Sequence, residues 1–95
     1  MNEEDARQKL EEYRVLIDDV DRRIVALLNE RTCVVENIGR VKREAQLPIY
    51  EPKREDQVFH NVTSHNGGPL SAEALKRVFE RIIDEMRTIQ RDEMG

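Results

Sequence analysis

The sequence predicts an all-α protein of three helices, one long, one short and one of medium length. Three features predict it. From Leu10 to Val41 apolar residues recur at alternating three- and four-residue steps, through Tyr13, Ile17, Val20, Ile24, Leu27, Val34 and Ile38, which is the period of one helix face. Leu47-Pro48 and Asn66-Gly67-Gly68-Pro69 interrupt the chain twice, and both are breaks that a helix does not cross. No repeat, glycine-rich phosphate loop or alternating strand pattern appears anywhere.

The first helix is expected from about Asp5 to Ala45, which is about 60 Å at 1.5 Å per residue. A compact monomer of this size has a radius of gyration of only about 12 Å, so such a helix outruns its own domain. With 95 residues, 38% hydrophobic and 38% charged, no Trp, two Phe and two Tyr, the core of one copy is thin. The stripe therefore calls for cover by a second copy, and the expectation is an intertwined homodimer in which residues 1–95 form a single helical domain. Pro48 disfavours helical geometry at Leu47 and ends the first helix around Gln46. Leu47 to Tyr50 is a short connector. Pro52 suits the first turn of a second helix with Glu51 and Glu55 near its positive end, and Val58, Phe59 and Val62 give it a modest apolar face. Ser71 caps a third helix with Glu73 in its first turn; Leu75, Val78, Phe79, Ile82, Ile83, Met86 and Ile89 supply a broad buried face.

Composition excludes several functions. A net charge of -4 argues against a nucleic-acid surface. No segment is long and apolar enough to span a membrane, and the charged stretch Met1 to Lys9 lacks a signal peptide's apolar core, so a soluble, cytoplasmic protein is expected. One cysteine, Cys33, forms no internal disulfide, and with only His60 and His65 beside it there is no metal-ligand set and no metal or other cofactor is expected. Cys33 reads as a buried or incidental thiol and the two histidines as solvated residues near a helix end.

One slot of the long stripe holds Arg31, where a hydrocarbon is expected. Either this polar residue fixes the register of a coiled coil, or an anion meets it there. Lys42 follows eleven residues later, an advance of about 1100°, or three turns plus roughly 20°, and about 16 Å along the axis. The two cations share a face and lean over Val35, Ile38 and Gly39, a spacing that suits the two ends of a small ligand. Arg14 precedes Arg31 by about 25 Å and is turned by roughly 100°; only its symmetry mate in an antiparallel dimer reaches the same ligand. Glu51-Pro52-Lys53-Arg54-Glu55 places two carboxylates and a guanidinium at the start of helix 2, which taken alone is a solvated helix start. Gln90 follows Ile83 and Met86 at steps of three and four, at the edge of the buried stripe, where a satisfied core amide is the plain alternative. Together, two cations, acceptors at a turn and an uncharged amide, without nucleophile or metal, suit holding a polar dianion rather than attacking it.

These residues resemble the all-helical class of chorismate mutase over nearly the whole chain. The pattern is Arg14, then Asp21 before an aliphatic run, Leu27-Leu28-Asn29-Glu30-Arg31, Ile38-Gly39-Arg40-Val41-Lys42, Leu47-Pro48-Ile49-Tyr50-Glu51-Pro52-Lys53-Arg54-Glu55, then Phe79-Glu80-Arg81-Ile82-Ile83 and Gln90. The resemblance implies rearrangement of chorismate to prephenate, on the route to phenylalanine and tyrosine, in a three-helix protomer that dimerises around its first helix. It implies that Arg14 clamps one substrate carboxylate from the other chain while Arg31 holds the second. Lys42 and Gln90 would donate to the ether oxygen, Glu55 would accept from the ring hydroxyl with Glu51 beside it, and Arg54 would steady the carboxylates of the turn. Ile38 and Ile83 would be apolar walls. Where some relatives carry a carboxylate-binding serine this chain has Met86, which implies weaker substrate binding, and Glu51 is one methylene longer than the aspartate some carry. Two rivals stay open, an isochorismate-pyruvate lyase on the same scaffold and a non-catalytic helical dimerisation module. Docking to another shikimate-pathway enzyme is conceivable by analogy with fused mutase domains.

Overall fold

The long helix starts at Glu3, two residues before the expected Asp5, and Asn2 opens it: its Oδ1 accepts the Asp5 amide at 2.8 Å and its carbonyl accepts the Ala6 amide at 3.0 Å. This satisfies donors that a helix start leaves unpaired, and Glu3, Glu4 and Asp5 follow at the positive end. The computed structural model describes the backbone of residues 1–94 and the side chains of residues 1–92. It contains α1 (Glu3–Ala45), α2 (Pro52–Ser64) and α3 (Ala72–Met94), with no strand among the described residues. The all-α reading and the long, short, medium order hold. No described helix is long and apolar enough to cross a membrane.

The 43 residues of α1 stop where Pro48 requires it, through a left-handed cap. Gln46 has φ 57°; its amide reaches the Arg43 carbonyl at 3.3 Å and the Leu47 amide reaches the Lys42 carbonyl at 2.8 Å. That bond pair is the Schellman termination, in which glycine ordinarily takes the left-handed position. A side chain there is strained, so Gln46→Gly stabilises the fold by roughly 0.5–1 kcal/mol, read as a rise of a few degrees in the thermal midpoint.

Pro52 occupies the first turn of α2, where its missing amide costs nothing, and the Glu51 carbonyl accepts the Glu55 amide at 3.0 Å. The Glu51 side chain makes no capping bond and is thereby left for other partners. Ser71 Oγ accepts the Ala74 amide at 3.1 Å, as expected of a cap.

The chain divides into two compact units, Met1–Arg31 and Thr32–Gly95. The first is helical from Glu3 and carries exposed local pairs, Arg7 with Glu3 at 2.5 Å and Arg23 with Asp19 at 3.5 Å, each worth only a few tenths of a kcal/mol. In the second, Val35 of α1 and Ile83 and Met86 of α3 form the buried core, with Val58, Phe59, Val62, Leu75 and Ile82 half-buried around them. Lys76 lies over the Phe59 ring at 5.5 Å, a cation–π contact that adds to the packing of α2 on α3.

The stripe behaves differently from the core. All nine of its hydrocarbons, from Leu10 to Val41, are between 40% and 68% exposed. The α1 face that packs within the chain is instead Val35, Gly39 and Lys42, one residue on from Val34, Ile38 and Val41. At a helical advance of about 100° per residue these are neighbouring faces, one covered by this chain and one bare. Ile38, expected to lie with Val35 and Gly39, belongs to the bare face at 41% exposure. On α3 the buried face is narrower than expected, because Val78 is exposed. Cys33 is exposed, which leaves the incidental reading of that thiol, and His60 and His65 are exposed as anticipated.

Candidate active site

Lys42 is the only charged residue that the described chain buries, at 7% exposure. Its position on the Val35-Gly39-Lys42 face carries the side chain inward, and its ammonium has three donors to satisfy there. All three find oxygen: the Ile49 carbonyl at 3.0 Å, Gln90 Oε1 at 2.9 Å and Glu51 Oε1 at 2.9 Å. One acceptor comes from the connector, one from α3 and one from the residue before α2. The Pro48 stop turns the chain so that Ile49 and Glu51 face the last turn of α1.

The three acceptors differ in how firmly they are held. Ile49 and Gln90 are part-buried, whereas the Glu51 side chain is 49% exposed. Glu51 can return to water at little cost, while the other two pay a desolvation penalty if left unpaired. Since Gln90 presents Oε1 to the ammonium, its Nε2 is turned away from Lys42 as a donor. A fixed cation and an oriented amide are thus side by side.

Glu55 is part of a second cluster. Arg87 of α3 donates from Nη2 to Glu55 Oε2 at 2.7 Å and from Nη1 to Asp84 Oδ1 at 3.2 Å, and its guanidinium lies over the Tyr50 ring at 5.2 Å. The Glu55 hydrogen bond and charge raise the Arg87 guanidinium above its ordinary range. Arginine keeps its charge throughout the neutral range, so the guanidinium itself contributes no pH dependence there. Arg87 was not singled out in the sequence.

The remaining predicted residues lie as follows. Arg14 is two-thirds exposed, with Nη1 3.9 Å from Glu11 Oε2; Arg31 is half-buried. Arg54 is exposed and reaches Gln57 Oε1 at 3.4 Å, while Glu51 and Glu55 are met by Lys42 and Arg87. Ile83 and Met86 are buried, and Thr32 donates its hydroxyl to Met86 Sδ at 3.6 Å. Among the described residues no group of three His, Cys, Asp or Glu side chains is placed to hold a metal ion.

The three helices thus bring one buried ammonium, one oriented amide and one half-exposed carboxylate together at the end of α1. The family model for chorismate mutase type II matches residues 13–91, and the chain belongs to that family. It is similar to the form II structure of the chorismate mutase of Thermus thermophilus, with a TM-score of 0.85 and 34% identity, covering 87% of this chain and 94% of that one. It is similar too to the Helicobacter pylori chorismate mutase solved in complex with prephenate, with a TM-score of 0.84 and 28% identity, covering 92% and 94%. The bifunctional chorismate mutase/prephenate dehydratase of Aquifex aeolicus is 35% identical over 88 residues, 88% of this chain and 24% of that protein. The chain spans about a quarter of the length of the curated relatives that it first matches.

Proposed function

We propose that two copies of this chain form a cytoplasmic homodimer that converts chorismate to prephenate for phenylalanine and tyrosine biosynthesis. The observation that carries this reading is the buried Lys42 ammonium, held by Ile49, Gln90 and Glu51, in a chain of the type II family. The bare α1 stripe supports the dimer, because about 25 cal/mol per Å² favours covering hydrocarbon and a symmetric partner offers the same face. In that dimer Arg14 of one copy and Arg31 of the other hold the two substrate carboxylates, and Ile38, Ile83 and Met86 wall the ring.

The reaction breaks one C–O bond and makes one C–C bond within a single molecule, and no proton or electron leaves it. The protein has to hold the substrate folded and to stabilise negative charge growing on the ether oxygen. On binding, the substrate displaces Glu51 from Lys42, and the released ammonium donor turns to the ether oxygen. Gln90 Nε2, its amide fixed by Lys42, donates to the same atom. Both bonds strengthen as charge develops, so they lower the barrier more than they tighten binding. A rate gain near 10⁶ corresponds to about 8 kcal/mol, within reach of positioning plus two such donors at roughly 3–4 kcal/mol each. Glu55 accepts from the ring hydroxyl.

An amide does not ionise, so Gln90 donates equally in mild acid and mild base. The pH profile of kcat is expected to be nearly flat from about pH 6 to 9; a steep fall above neutrality contradicts the role given to Gln90. The reading itself is tested by incubating the pure chain with chorismate and, separately, with isochorismate. Prephenate from the first and no salicylate or pyruvate from the second is the expected outcome. Salicylate from isochorismate reverses the assignment to the lyase, and no product from either leaves a dimerisation module.

A further inference from the structure

We propose that Arg87 is a positioning residue for this reaction, a proposal that rests on the mutase reading above. Its guanidinium joins three parts of the chain: Glu55 of α2 at 2.7 Å, Asp84 of its own helix at 3.2 Å and the Tyr50 ring of the connector at 5.2 Å. The Arg87 and Glu55 side chains are only 21% and 24% exposed, so the bond between them is shielded, unlike the open pairs of the first unit. Asp84 Oδ1, on a side chain that is itself mostly exposed, takes the second arm of the fork and favours the guanidinium plane from which Nη2 holds Glu55. With Oε2 taken, the Glu55 carboxylate keeps Oε1 for a further donor in one rotamer.

The placement matters because Tyr50 and Glu55 bracket Glu51, the carboxylate on Lys42, while Arg87 lies one turn before Gln90 on α3. One side chain therefore sets the stretch bearing both acidic residues relative to the helix bearing the amide donor. A residue that merely ties α2 to α3 would satisfy the same distances, and the distinction is energetic: a positioning residue is worth nothing to catalysis once the group it positions is gone.

The test is a double-mutant cycle of the unaltered chain, Arg87→Met, Glu55→Ala and the double variant, with kcat/KM on chorismate and the thermal midpoint measured for each. We expect Arg87→Met to lower kcat/KM about tenfold when Glu55 is present and less than about twofold when it is absent. Arg87→Lys, which keeps the charge and one bond but not the fork, should recover only part of the loss and remain about three- to fivefold below the unaltered chain. Equal losses with and without Glu55, with coupling confined to the thermal midpoint, overturn the proposal and leave a structural tie. If Arg87→Met does not fold, the cycle is run with Arg87→Lys, where a loss above about threefold that vanishes with Glu55→Ala supports it and an unchanged ratio overturns it. An unaltered chain that produces no prephenate overturns the mutase reading and this proposal together, whereas additive variants of an active enzyme overturn this proposal alone.

Discussion

Lys42→Met is expected to lower kcat for prephenate formation by about 10²–10³-fold, the loss typical when one fixed donor to a developing anion is removed. Methionine keeps the length and most of the volume of the stem inside the Val35-Gly39-Lys42 face, so packing is retained. The folding cost comes from acceptors left behind. Glu51, half exposed, is rehydrated, whereas the Ile49 carbonyl and Gln90 Oε1 are part-buried and lose a charged donor, at about 1–3 kcal/mol. Gln90 also loses the contact that orients its amide, so the variant weakens two donors at once and the loss should lie toward the upper end. Initial rates at saturating chorismate, with the thermal midpoint measured in parallel, separate the two effects. A rate within a few fold of the unaltered chain removes Lys42 from the mechanism. Lys42→Arg is no rescue, because a planar fork does not match three acceptors that converge on one ammonium from separate segments.

How far the sequence disclosed this arrangement depends on whether each feature is local. The α1 stripe is a repeat within one helix and was plain, as were the stops at Pro48 and at Asn66-Gly67-Gly68-Pro69 and the Ser71 cap. The face that packs inside the chain was less legible, since Gly39 and Lys42 make it look polar beside the richer stripe next to it. Lys42 and Gln90 were found as candidates, but their direct bond joins residues far apart in sequence and no spacing encodes it. Arg87 was missed for the same reason. It reads as a surface residue, and its partner Glu55 lies 32 positions away; the available signal was its place one turn before Gln90, at the margin of the apolar face. Gln46 gave no warning of a left-handed cap because the usual glycine is lacking. The Asn2 cap, by contrast, was available: an asparagine followed by Glu3, Glu4 and Asp5 is a helix start, and the apolar period alone placed it too late.

In the proposed dimer each site draws residues from two chains, and Arg14 and Arg31 allow that to be tested without a structure of the complex. Arg14→Ala and Arg31→Ala homodimers should each lose on the order of 10²-fold or more in kcat/KM, since each lacks one carboxylate clamp at both sites. When the two are mixed in equal amounts and exchange subunits, half of the dimers are heterodimers, and in each of these one site carries both substitutions while the other carries none. One intact site of two in half of the population gives about a quarter of the unaltered activity. Recovery to that level, appearing at the rate at which heterodimers form by native mass spectrometry, is the predicted result. A mixture that stays as inactive as its parents while heterodimers are present, or a chain that turns over chorismate as a monomer, contradicts a site shared between two copies.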